Sequence, residues 1–292
     1  MTEEERNSLE QDQMEDSGLQ AVSSYPKEPR FFSAAGTESK RFLIKAWTIA
    51  SQSHALYIMQ TKGGDGELAA KDISQWKGNG DMPVASFFFS GSVDEAFAWV
   101  RDVVSDLEKS NTLVVRLQSL AQLSVARELS EMALSEFPQV DSMLLVFVLS
   151  LEEEKAFQVQ VGDLGVVLPP LAVRPSDLAS YAKRFAKIAS DRLGKNACVE
   201  FSAEAVYQLL VHDWARDYRQ LQNVIMGAVD ASSGDHPLSL EEIQEALDAA
   251  DPSVPPADRL KSLMKNSQCR YITRLIERQE IDPSDLASKL EL

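Results

Sequence analysis

From Arg41 to Leu149 the apolar positions follow two alternating patterns. Phe42, Leu43, Ala46, Trp47 and Ala50 fall on one face at helical spacing, which predicts an amphipathic helix through "RFLIKAWTIASQSH". Short, unbroken apolar runs follow: "ALYIMQ" (55–60), "PVASFFF" (83–89), "TLVVRL" (112–117) and "MLLVFVL" (143–149). Such runs suit strands buried on both faces. Between them stand helical stretches: "ELAAKDISQW", "VDEAFAWVRDVVSDL" and "SVARELSEMALSEF". Strands alternating with helices predict a parallel sheet in a three-layer α/β domain.

After "VVLPPLAVRP" only the helical period persists. Ser176 is the expected N-cap of a helix whose Leu178, Tyr181, Phe185, Ile188 and Leu193 share a face, with Gly194 as its stop. Ser202 is expected to cap "AEAVYQLLVHDW", a third helix runs through "RQLQNVIMGAVDA", and "SLEE" (239–242) makes a capping box for a fourth. "DPSVPPAD" (251–258) reads as a linker, followed by a helical tail over 259–292. The expected organisation is an acidic, disordered tail (1–30), an α/β subdomain (31–167), a helical lid (168–250), the linker and the tail.

Composition narrows the classes. With 292 residues, 44% of them hydrophobic, the chain can fill ordinary cores, and no apolar run approaches the ~18 residues of a membrane span. The N-terminus has neither a basic lead nor an apolar run, so a cytoplasmic location is expected. A formal net charge of −16 argues against broad nucleic-acid binding. Cys198 and Cys269, and His54, His212 and His236, are scattered without ligand spacing, so neither a metal nor a disulfide is expected.

The lid segments carry a family likeness. "LPPLAVRPSDL" (168–178), "FSAEAVYQLLVHDWARDYRQLQNVIMGAV" (201–229) and "LSLEEI" (238–243) have the proline pair, tryptophan, arginine and spacing that resemble the AAA+ domain of bacterial enhancer-binding proteins, the NtrC-type activators of RNA polymerase carrying sigma-54. The likeness runs over about residues 31–247, strongest in the lid. It implies an AAA+ type three-layer parallel sheet, an all-α lid, and a short C-terminal tail similar to a truncated Fis-type helix-turn-helix.

Against that family the chain departs at each catalytic element. A strand leading into G-x-x-x-x-G-K should cradle phosphates, its lysine reaching the β and γ oxygens. Here "ALYIMQ" leads into Thr61, Lys62, Gly63, Gly64, Asp65 and Gly66, then directly into "ELAAKDI", with no lysine at the loop's end. Asp65 places negative charge where phosphate oxygens would sit. The strand that should end in Asp and Glu for magnesium and water offers Arg116 and Leu117, although Asp94 or Glu95 stands open as a displaced alternative. No arginine lies between Phe157 and Leu171 to act on a neighbouring subunit, a role worth about 10³–10⁵ in rate. The span from "ASFFF" to "TLVVRL" is too short for the family's GAFTGA loop.

The resulting expectation is an inactive AAA+ relative, with no catalytic residue and no cofactor, that binds a protein partner in transcription regulation, self-association being open. Gly63, Gly64 and Gly66 are a vestigial phosphate loop. Arg219 matches the lid arginine that senses the γ-phosphate, or else makes a structural ion pair. Contact surfaces are expected in the acidic tail, around Trp214 and Tyr218, and in the basic C-terminal helices. Two alternatives stand beside this: an ATP-binding activator with an atypical loop, and a DNA-binding regulator using Arg270, Arg274 and Arg278.

Overall fold

Runs too apolar to face water on either side can be buried only between two helical layers, and the strands here are so placed. In a computed structural model, which describes residues 24–78, 85–88, 92–105, 112–136, 143–150, 153–195 and 200–250, the chain folds as two compact units. Among the described residues, Ser24–Asp177 together with Arg216–Arg219 form one; Leu178–Ala215 and Gln220–Ala250 form the other.

The first unit holds strands β1 (Ala55–Gln60), β2 (Ala85–Phe88), β3 (Thr112–Leu117), β4 (Leu144–Ser150) and β5 (Gly165–Val167), all parallel, in the order β2-β3-β4-β1-β5. β1 pairs with β4 in the register Tyr57–Phe147, which stacks the two rings at 4.9 Å. Because side chains alternate across a strand, Leu56, Ile58, Val146 and Val148 face one layer, helices α1 (Thr37–Gln52) and α2 (Gly66–Lys77). Tyr57, Met59, Phe147 and Leu149 face the other, built by α3 (Val93–Ser105), α4 (Leu123–Glu136) and α5 (Glu154–Val161). The expected strands 55–60 and 112–117 form with those bounds. Not expected were α5, whose "EEEKAFQVQV" has little apolar periodicity, and β5, three residues long.

Ser24–Arg30, expected to lie in a solvated tail, packs instead. Tyr25 stacks on Trp76 at 5.4 Å, and the buried Asp72 carboxylate on α2 accepts the backbone N–H groups of Arg30 (2.7 Å), Phe31 (3.1 Å to each oxygen) and Phe32 (2.7 Å). The carboxylate does for this strap what a neighbouring strand would otherwise do, and so delivers Phe32 into the core. Residues 1–23, 251–258 and 259–292 lie outside the described residues.

The second unit takes in α6 (Pro175–Leu193) from Leu178, α7 (Ala203–Val211), α8 (Asp217–Ala231) from Gln220, and α9 (Leu240–Ala250). Ser202 caps α7 by accepting Ala205 N–H at 3.1 Å, and the Ser239–Glu242 box closes with bonds of 2.8 and 3.3 Å. Gly194 ends α6 at φ 72°. Three expectations fail locally. α6 begins at Pro175, the first-turn position where a missing N–H costs nothing, so Ser176 lies inside the helix rather than capping it. Its buried face is Leu178, Tyr181, Ala182, Phe185, Ala186 and Ala189, while Ile188 and Leu193 are 49% and 42% exposed. α7 stops at Val211, and Trp214 folds back so that its indole N–H meets the Leu209 carbonyl at 2.9 Å. Among the described residues, no helix is long and apolar enough to cross a membrane.

Replacing Asp72 by alanine strands three backbone donors that met a charged acceptor, and is expected to lower the unfolding free energy by about 2–4 kcal/mol. Denaturant unfolding measures the loss, and limited proteolysis should show new cleavage between Tyr25 and Phe32.

Candidate functional site

The turn after β1 is shaped by close approaches that exclude side chains. Gly63 has φ 85°, and a Cβ there would lie 2.3 Å from the Arg216 carbonyl oxygen. The same turn accepts the backbone N–H of Arg219 at the Gly63 carbonyl, 3.1 Å away, so the expected loop glycines and Arg219 do come together, through the backbone. Inside the turn sits Gln60, the last residue of β1, whose side chain is buried. Its Oε1 accepts the Gly66 N–H at 2.8 Å, while the Gly64 N–H donates to the Thr61 carbonyl at 3.0 Å. A Cβ on Gly66 would stand 2.7 Å from that Oε1, and one on Gly64 3.0 Å. The glycines therefore wrap the chain around its own glutamine.

Asp65 is buried and already partnered. The buried Arg174 guanidinium, 1% exposed, grips it with two bonds of 2.5 and 3.2 Å. Two further carboxylates stand 3.9 Å from the same guanidinium, Asp177 and Asp217, and the Phe32 ring lies 5.5 Å beneath it. Each acid is itself a junction. Asp177 accepts from Ser33 Oγ (3.0 Å), the backbone N–H groups of Ala35 (2.7 Å) and Gly36 (3.3 Å), and the Ser39 hydroxyl. Asp217, at φ 49°, accepts from the Thr61 hydroxyl, Leu171 N–H (3.0 Å) and Tyr218 N–H (2.8 Å). Burial pushes the Asp217 carboxyl above its ordinary value, against the opposing pull of those hydrogen bonds and of Arg174. Three buried acids around one cation make this a region of negative potential.

The residues expected at the motor positions carry opposite signs from those the family resemblance implies. Glu67 stands in the first turn of α2, and Arg116 near the end of β3 clasps it through Nε and with a 2.6 Å bond from its second nitrogen. That bond also holds the Arg116 guanidinium above its ordinary pKa. Asp94 and Glu95 are exposed in the first turn of α3. Among the described residues no group of three His, Cys, Asp or Glu side chains could hold a metal ion. Trp214, expected on a contact face, is only 4% exposed, because its ring is needed in the lid core. Arg270, Arg274 and Arg278 lie outside the described residues. Arg174 and Gln60 escaped sequence reading: "RPSDL" does show an arginine three residues before an aspartate, but an arginine at a helix start reads as a solvated charge.

Arg174→Ala should cost about 3–5 kcal/mol, since it leaves three buried carboxylates without their cation, whereas Glu67→Gln, in a partly exposed pair, should cost at most about 1 kcal/mol. Urea titrations of both variants test the contrast. For Asp217 the native pKa lies above the unfolded one, so its protonation favours the fold. In a pH series descending from neutrality through that raised value to the ordinary carboxylate range, the wild type should therefore gain stability relative to Asp217→Asn.

No family model matches the chain. It is 33% identical over 111 residues to the formate hydrogenlyase transcriptional activator FhlA of Escherichia coli (strain K12), covering 38% of this chain and 15% of that protein. It is 43% identical over 58 residues to the sigma54-dependent transcriptional activator SfnR of Pseudomonas putida, covering 20% and 16%. The matched segments thus span about a sixth of either relative. Among solved structures, NtrX from Brucella abortus in complex with ADP superposes with a TM-score of 0.56 at 16% identity, covering 98% of this chain and 72% of that one. The same protein in complex with ATP gives 0.57 at 15% identity, covering 89% and 69%. By sheet order and fold likeness this chain has an α/β fold of the AAA+ type, and over short segments its sequence is similar to sigma-54-dependent activators.

Proposed function

We propose that this chain is an AAA+ protein without ATPase activity, acting as a protein-binding regulatory module linked to transcription. The observation that carries this reading is the buried Gln60 side chain, which takes the Gly66 N–H at the start of α2. An anion cradle works by pointing such donors at phosphate oxygens; here that donor is already spent, and spent at ordinary hydrogen-bond distance. Two further features support the reading. The loop ends in Asp65, held by Arg174 with Asp177 and Asp217 beside it, so an incoming triphosphate meets an excess of fixed negative charge. The Glu67–Arg116 pair puts an anion where the family's lysine is expected and a cation where its magnesium ligand is expected. The residues at this loop do not fit a magnesium-bound nucleotide.

What remains is a folded platform. Apolar burial on both faces of the sheet sustains the fold without a ligand, so the surfaces are available for a protein partner or a second copy of the chain. The regulatory link rests on the sigma-54-dependent activators to which parts of the chain are similar.

Isothermal titration with ATP and magnesium, and with a non-hydrolysable analogue, is the deciding experiment. No heat and no thermal shift at millimolar ligand is the expected result, together with no phosphate release above a buffer blank. Binding in the micromolar range would overturn the reading and establish a nucleotide-controlled switch.

A further inference from the structure

The first unit contains a second concavity, at the opposite end of β1 from the glycine loop. Six residues of strand separate the two by roughly 17–20 Å. It is a cavity of about 370 Å³, within the range of roughly 300–1,000 Å³ typical of small-molecule sites. Its polar lining comes from Gln52, Ser53 and His54 ahead of β1, Tyr57 on β1, and Arg127, Ser130 and Glu131 on α4. Leu123, Val161 and Leu164 supply an apolar wall.

The polar groups are arranged in depth. Tyr57 and Ser130 are buried, the serine hydroxyl donating to the Ala126 carbonyl at 3.0 Å. Arg127 and Glu131 are exposed at the rim, one helical turn apart, which sets their Cβ atoms about 5–6 Å from each other. Arginine before glutamate is the weaker order for pairing along a helix, and Arg127 donates to the Gln160 carbonyl at 2.5 Å rather than to Glu131. Both charges act on the Tyr57 phenol: burial raises its pKa most, the Ser130 hydrogen bond and Arg127 pull it back, and Glu131 raises it. His54 uses Nδ1 to meet the Met143 carbonyl at 3.1 Å, so Nδ1 carries the hydrogen and the neutral ring keeps Nε2 as an acceptor.

A cation and an anion one turn apart, neither answering the other, above a polar floor and beside an aliphatic wall, match a ligand that carries both charges close together on an apolar body. We infer that this cavity is a binding site for a small zwitterion of the α-amino-acid class with an apolar side chain. The ligand carboxylate meets Arg127, its ammonium group meets Glu131 and His54 Nε2, and its side chain lies against Leu123, Val161 and Leu164. The glycine loop takes no part in this, so the inference stands apart from the nucleotide question.

The test is calorimetric titration and thermal shift of the full chain with L-leucine, L-methionine and L-phenylalanine, alongside 4-methylpentanoate and 3-methylbutylamine, which each keep only one of leucine's charges. Saturable binding of at least one amino acid is expected. Either single-charge analogue should bind more than about tenfold more weakly than leucine, a difference of about 1.4 kcal/mol. Arg127→Ala and Glu131→Ala, both rim substitutions checked for unchanged melting, should each weaken the amino acid to a similar degree. Failure of all three amino acids to bind at millimolar concentration overturns the inference, as does equal binding of the single-charge analogues. Unchanged affinity in either rim variant would also place the ligand elsewhere and overturn it.

Discussion

The Arg174–Asp65 contact is the constraint on which the rest of the first unit's functional end depends. A guanidinium sealed from water and bonded twice to one carboxylate, with two more at 3.9 Å, cannot be moved without exposing uncompensated charge. Because the acids belong to distant stretches, the arginine ties together the turn after β1, the start of α6, the start of α8 and, through Asp177, the segment from Ser33 to Ser39. The Phe32 ring under the guanidinium links this cluster to the strap that Asp72 holds on α2. Charge pairs and hydrogen bonds among the unit's own residues thus hold the loop after β1 in place.

Gln60 completes the substitution at the level of single donors. A glycine-rich turn at a helix start is disposed toward anions because its N–H groups lack partners. Here the strand's last side chain reaches Gly66, and the glycines are small in order to admit that side chain. The same glycines that resemble a phosphate loop in sequence therefore do a different task in space. The Glu67–Arg116 pair follows the same logic with reversed signs: the two positions still face one another across the unit, and still need opposite charges.

Local signals were legible and long-range ones were not. The bounds of β1 and β3, the Ser202 cap, the Ser239–Glu242 box and the Gly194 stop depend on residues within four positions of each other, so periodicity and cap chemistry suffice to read them. The early end of α7 could not be read because the stop comes from Trp214 turning into the lid core, a packing choice. The ordered strap at residues 24–30 was hidden for a similar reason, since its anchor, Asp72, lies about forty positions away.

The amino-acid sequence by itself determined the layered α/β plan, the helical character of the lid and the absence of a lysine after the glycine loop, because each is written in neighbouring residue types and their spacing. Only the tertiary structure decided what occupies that loop. Asp65 and Arg174 are 109 positions apart, Thr61 and Asp217 156 apart, and burial in common is what makes their charges and hydrogen bonds depend on one another. Periodicity reports which way a side chain faces; which opposing side chain it meets there is settled by packing.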